Sequence, residues 1–334
     1  MADNSFCDIL NNQSNVFTQN HMEEIQMYFD LSGLWQADIG DGKVYPMQLP
    51  GTLDENRIGH KDLGQNQWHP DAALGNAEEG FNENAPIPTR FTRKYTFEGE
   101  ARLTRRISFT PEEGKRVFLE AERVRYLRLL VDGKEVPHFS EGSLSTPHVF
   151  EVTGLLNGDN EITLLSDNSY PGLPHDAIVY SSAATDETQT NWNGVLGYLR
   201  LRVEEPVFLS ALRIYPDRDG ETLTVQAEVS ADRFWSGTLL VESGALKKEK
   251  SGAQEYAGYQ KKICVQPGLT RFVLEKLPLA GDVRRWDEEE GNLYELTARL
   301  SAKERQELAS RTETFGVRTF GDNGKGRLAL SGRV

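Results

Sequence analysis

The stretch 186–193, DETQTNWN, concentrates residue types that grip a neutral polar ligand. Asp186, Asn191 and Asn193 offer a carboxylate and two amides that hydrogen-bond neighbouring hydroxyls, and Trp192 offers an aromatic face for apolar C–H surface. That pairing suits the edge and face of a sugar ring. A second stretch repeats the theme with Asn66, Trp68, His69 and Asp71. A plainer reading stands beside each. Asn193-Gly194 is a turn dipeptide, Trp192 has the bulk of a core residue, and an aromatic-polar loop such as 66–71 also serves in packing between domains.

Other chemistry finds little support. The densest acidic group, Asp287 to Glu290 beside Gly291, reads as a solvated loop, as like-charge runs usually are. His21, His60, His69, His138, His148 and His175 are scattered without a short-spaced pair, so no metal site is expected. Asp217-Arg218-Asp219-Gly220 has the start of a calcium loop without its later ligands and reads as a hairpin turn. Neither a phosphate-cradling glycine loop nor a nucleophile elbow occurs, so no cofactor is expected.

The formal net charge of -14 disfavours nucleic-acid backbones and anionic membranes as partners, because either requires a basic patch. Arg123, Arg125 and Arg128 do cluster, but interleaved with Val124, Tyr126, Leu127, Leu129 and Leu130 they read as one solvated strand face. No apolar run approaches the roughly 18 residues needed to span a bilayer. The N-terminal residues lack the charged and apolar regions of a secretory signal. With only Cys7 and Cys264 a disulfide framework is not expected, and a reducing cytoplasm is the expected location.

These side chains must be positioned by something, and the pattern points to strands. Residues 1–24 are polar and aperiodic, and read as a loose arm. Beyond them, short apolar-rich runs at 93–97, 105–109, 116–121, 126–131 and 161–165 are punctuated by Asp41-Gly42, Asp132-Gly133 and Asn157-Gly158. Two long loops, 53–88 and 168–193, interrupt this rhythm and carry the candidate residues; loops of that length are usually functional or disordered. Glu204-Glu205-Pro206 reads as a linker. Strand-like runs resume at 207–215, 223–230, 238–242, 260–265, 270–274 and 293–300, as in an immunoglobulin-like sandwich without its disulfide. Residues 301–309, SAKERQELA, carry the one notable helix signal, or else a charged hairpin. The expected class is all-β: a jelly roll over 25–203, an immunoglobulin-like sandwich over 204–319, and a stub over 320–334.

In this order the segments resemble the N-terminal region of glycoside hydrolase family 2, which includes β-galactosidases, β-glucuronidases and β-mannosidases. DLSGLW at 30–35 with LPGTL at 49–53 is similar to the family's opening, and 117–167 to its jelly-roll core. NWNGVLGYL at 191–199 is similar to the segment closing the first domain, and 286–296 with FGVR at 315–318 to the end of the immunoglobulin-like domain.

The last residues, 315–334, read as a strand, a glycine-rich turn and a final strand still without its partner; the resemblance implies that RLALSGRV at 327–334 leads into a catalytic barrel lying beyond this sequence. It implies that Asp186, Asn191 and Asn193 bind substrate hydroxyls at that barrel's rim, with Trp192 as an apolar wall; Trp68, on the first long loop, stands as a second sugar-contact candidate from its residue type alone. Family members of the galactosidase and glucuronidase type tend to place an acid about where Thr188 stands, so the role of Asp186 carries a register shift. Retaining hydrolysis takes two carboxyls about 5–5.5 Å apart; no pair stands out here, and the isolated chain is expected to be inactive. The implied partner is a β-glycoside, with homo-oligomers possible by analogy. A free-standing carbohydrate-binding protein is the alternative, and a ligand-free adhesion-like protein a third.

Overall fold

The computed structural model describes residues 27–61, 95–174, 191–245, 256–279, 283–303, 306–322, 324–331 and 333. All regular structure among them is β, in antiparallel sheets. The chain divides after Val203 into two compact units.

The first unit is a two-sheet sandwich. One sheet orders Met27–Asp30, Leu199–Glu204, Arg116–Ala121, His148–Glu151 and His138–Ser140. The other orders Lys134–Val136, Tyr126–Val131, Gly158–Asp167, Glu100–Phe109, Gly33–Asp38 and Val44–Leu49. Alternation decides which side chains enter the core: in Tyr126–Val131 the residues Leu127, Leu129 and Val131 are buried and their neighbours half-buried. They pack with Trp35, Met47, Leu103, Leu119, Phe150, Ile162 and Leu201. Trp35 can be buried because its indole N–H donates to the Leu31 carbonyl at 3.1 Å. Asp132 and Gly133, both at positive φ, turn the chain between Tyr126–Val131 and Lys134–Val136, the geometry of a two-residue hairpin.

Arg116–Ala121 is buried on both faces. Its second face carries charge, which stays only because it is paired: Arg116 Nε meets Glu151 at 2.8 Å, and Glu120 receives Arg200 at 2.9 Å and Arg202 at 2.6 Å.

The second unit packs a three-stranded sheet (Val207–Pro216, Thr222–Ala231, Gly268–Pro278) and a four-stranded one (Tyr256–Val265, Trp235–Ala245, Tyr294–Lys303, Gln306–Phe315) around Val225, Val229, Leu239, Leu296 and Leu300. Sequence left 301–309 open between helix and hairpin; the chain forms a hairpin there, Tyr294–Lys303 pairing with Gln306–Phe315. The terminal stretch corrects a second expectation. Leu328–Leu330 is not left without a partner, because it pairs with Phe320–Asp322. The acidic run lies in a turn whose Asp287 accepts from the Glu289 and Glu290 amides and pairs with Arg333 at 2.8 Å.

Candidate functional site

In the first unit the ends of both long loops are fastened together. Residues 51–52 precede one loop and Gly194–Val195 follow the other, and they form a short antiparallel ladder. The Leu53 amide donates to the Asn193 carbonyl at 2.9 Å. At Gly194, with φ of 130°, a side chain would collide with the facing backbone at Gly51 and Thr52, so glycine is required for this approach.

Two buried asparagines bolt this base. Asn168, fully buried at the end of Gly158–Asp167, donates through Nδ2 to the Phe97 carbonyl at 2.7 Å and the Asn191 carbonyl at 2.8 Å. Its Oδ1 accepts from the Gly99 amide at 2.9 Å. Asn193, 3% exposed, donates to the Gly99 carbonyl at 2.8 Å and the Ser166 carbonyl at 3.1 Å. An amide can do this because it offers two donors and an acceptor on one short, stiff stem. The Asn193 Oδ1 acceptor is buried and has no partner among the described residues. Such an atom costs about 1–3 kcal/mol when left without a donor.

Beside the asparagines a buried arginine lies against two aromatic side chains. Arg125 is 6% exposed, and its guanidinium sits 4.7 Å from the Trp192 ring centroid and 5.6 Å from that of Tyr170. Its Nε donates to the Trp192 carbonyl at 2.9 Å, and Nη1 donates to the Tyr170 hydroxyl. A desolvated cation over the Trp192 ring is favoured by about 2 kcal/mol or more, while at Tyr170 it meets the hydroxyl edge rather than the face. Tyr170 holds φ at 54°, an unusual setting for a bulky residue.

Of the sequence candidates, Asn191, Trp192 and Asn193 come together here. Asn191 and Trp192 are half-buried, and Asn191 Nδ2 donates to the Asn168 carbonyl at 3.2 Å. The Asn193 amide nitrogen is committed to backbone carbonyls. Asp186, and Asn66, Trp68, His69 and Asp71, lie outside the described residues. Asn168 and Tyr170 were not singled out in the sequence. Arg125 is a correction: it is no member of a solvated strand face but a buried residue ahead of the strand, in a corner marked by Arg123 at φ of 54°. The available signal was the break at Glu122-Arg123, a polar pair between two apolar runs. Among the described residues no group of three or more His, Cys, Asp or Glu side chains gathers to hold a metal.

The buried carboxylates among the described residues are Glu120, Asp167 and Glu242. Glu120 is held by Arg200 and Arg202, Glu242 by Arg299, and Asp167 by the Ser169 amide at 2.7 Å and hydroxyl at 2.6 Å.

The model of glycosyl hydrolases family 2 matches residues 207–318, within the second unit. No curated protein matches the sequence. Solved structures similar in fold include a β-glucuronidase of Bacteroides uniformis, with 18% identity over 92% of this chain and 34% of that one, at a TM-score of 0.63. Another is a family 2 β-galacturonidase of Eisenbergiella tayi bound to galacturonate, with 19% identity, coverage of 93% and 46%, and a TM-score of 0.59. A third is a family 2 glycosyl hydrolase of Bacteroides cellulosilyticus, with 13% identity, coverage of 92% and 38%, and a TM-score of 0.60. The chain spans less than half the length of each. The resemblance to glycoside hydrolase family 2 thus rests on a family match over the second unit and on a fold shared, over nearly the whole chain, with part of larger solved structures.

Proposed function

We propose that this chain is the non-catalytic N-terminal portion of a retaining exo-β-glycosidase, supplying the rim of a substrate pocket whose acid and nucleophile belong to a barrel beyond residue 334. The observation that carries this reading is the bolted base. Four loop ends converge on Asn168 and Asn193, and such rigid support is what a rim needs to hold ligand groups in register. Asn191 and Asp186 bind saccharide hydroxyls, Trp192 and Trp68 give apolar walls, and Asn193 positions the loop while its free oxygen accepts from a donor. The partner is a β-glycoside, bound together with the barrel.

Calorimetry on the 334-residue chain with galactose, glucuronate and mannose tests this. Binding no tighter than millimolar is expected, with no release of p-nitrophenol from the matching p-nitrophenyl glycosides. Micromolar binding would favour a free-standing carbohydrate-binding protein instead, and turnover would overturn both readings.

A further inference from the structure

The three-stranded sheet of the second unit ends on one side in Gly268–Pro278, which is hydrogen-bonded to Thr222–Ala231 along one edge only. Among the described residues no strand pairs with its other edge. Such a row of spare N–H and C=O groups is a template for another strand. Alternation sorts the side chains: Thr270, Phe272 and Leu274 turn inward, while Leu269, Arg271, Val273 and Glu275 face solvent. Leu269 and Val273 are 56% and 48% exposed. Lys276, at φ of 57°, sits in a bulge that closes the regular stretch.

Other edges of the four large sheets are blunted among the described residues. Lys134–Val136 and His138–Ser140 have three residues and Met27–Asp30 has four, while Val44–Leu49 carries Pro46. In the second unit Val207–Pro216 lies beside Gln306–Phe315, and Arg311 Nη1 donates to the Ser210 carbonyl at 2.9 Å. Tyr256–Val265 carries Lys261 and Lys262. Gly268–Pro278 has no proline before its last residue and no lysine before the bulge.

We propose that Gly268–Pro278 is a dimer edge, pairing antiparallel with the same strand of a second copy of this chain across a two-fold axis at Val273. Charge selects this occupant. With Val273 opposite the partner's Val273, Arg271 stands opposite the partner's Glu275 and Glu275 opposite the partner's Arg271. The strand thus complements itself, as a two-fold contact requires. Moving the axis by one residue either way would set Val273 against a charge, Arg271 or Glu275. Both charges are open to a partner. Glu275 has no ion pair among the described residues, and the Glu228 carboxylate that meets Arg271 at 2.6 Å is shared with Arg213 at 2.8 Å, one anion for two cations. Two paired strands bury little surface, so the association is weak and reversible. It involves no saccharide and stands apart from the rim reading.

Sedimentation equilibrium on the 334-residue chain, taken up to hundreds of micromolar, tests it. A monomer–dimer equilibrium is expected. Arg271→Glu sets like charges across both contacts, as does Glu275→Arg, and each variant alone should dimerise about tenfold or more weakly. Mixed together, the two variants regain opposite charges at both contacts and should recover association as a heterodimer. Val273→Cys, in a chain also carrying Cys7→Ser and Cys264→Ser, should cross-link to its partner, because directly opposed residues lie about 4.5–5.5 Å apart between Cα atoms, within disulfide reach. A wild-type chain that stays monomeric, a dimer indifferent to Glu275→Arg, folded variants that stay apart when mixed, or a Val273→Cys dimer that does not cross-link would each overturn the proposal. If Arg271→Glu does not fold against Glu228, Glu275→Arg and the cross-link decide.

Discussion

At the loop-bearing end of the first sandwich, Asn168 and Asn193 are buried and bond to backbone groups 23 to 94 residues away in sequence. At the hairpin 217–222 of the second, Asp217 and Asp219 bond to Thr222, Thr224 and the Glu221 amide, all within seven residues, with Lys276 the one distant partner among the described residues. Both places use short polar side chains to turn a strand. In the first, the side chain continues past the end of a strand ladder and ties together segments far apart in sequence. In the second, it tidies a turn that the flanking strands already dictate. Long-range bonding of buried amides is therefore the mark of a place the fold must hold still, and local bonding in solvent the mark of punctuation.

The largest test of this contrast is Asn168→Ala. It removes two donors and one acceptor and strands the carbonyls of Phe97 and Asn191 and the amide of Gly99. A loss of about 3–5 kcal/mol is expected, since each buried orphan costs about 1–3 kcal/mol. Urea unfolding of the first unit measures it. A loss below about 1 kcal/mol would mean that the loop ends are held by something other than this side chain.

Arg125→Met comes next. The substitution keeps the bulk between Trp192 and Tyr170 while removing the charge and the donor to the Trp192 carbonyl. About 2–3 kcal/mol is expected, with Arg125→Lys recovering only part because a lysine lacks the planar fork. Full recovery by lysine would reduce Arg125 from a geometric clamp to a simple buried charge.

A smaller effect follows from pH. Burial, the main cause, holds His138 and His148 below their ordinary value of 6.5 in the folded chain. Above 6.5 both folded and unfolded rings are neutral and the pair has no effect on stability. Below it the unfolded chain takes up protons that the folded chain refuses, so stability falls as pH drops from 6.5 toward the lowered folded values. The first unit's unfolding midpoint should fall over that window, and less so in His148→Gln. Residues 204–334 contain no histidine, and the sandwich they form should be flat there.

The same contrast explains what the sequence made legible. Strands at 116–121 and 126–131 were read with the bounds the structure gives, because alternation and turn dipeptides are nearest-neighbour signals. The turn at 217–220 was legible for that reason too. The hairpin at 301–309 was undecided because SAKERQELA is made of good helix formers, and the pairing that overrides them comes from the opposite strand. For the site, Asn191, Trp192 and Asn193 were legible as a cluster of types in one loop. Asn168 was not, since its partners lie as far as Phe97, 71 residues away. Arg125 was misread because alternation assigns a face and gives no warning that a tryptophan 67 residues on will cover it.

Asp219→Asn should have the smallest effect. The Asp219 carboxyl is held far below the usual carboxylate range, first by the Glu221 amide and then by the Thr222 hydroxyl and amide, with Lys276 adding to them. That depression is present at all pH values above the ordinary carboxylate range and would be lost only on strong acidification. An asparagine oxygen accepts the same amide bonds and so preserves the Asx turn. What disappears is the charge facing Lys276, in a side-chain pair exposed at 39% and 68%, where solvent screening leaves little to lose. The second unit's urea midpoint should therefore be unchanged within error near neutral pH. A clear drop would show that this turn is a clamp like the one at Asn168, and that distance in sequence is the wrong way to separate the two.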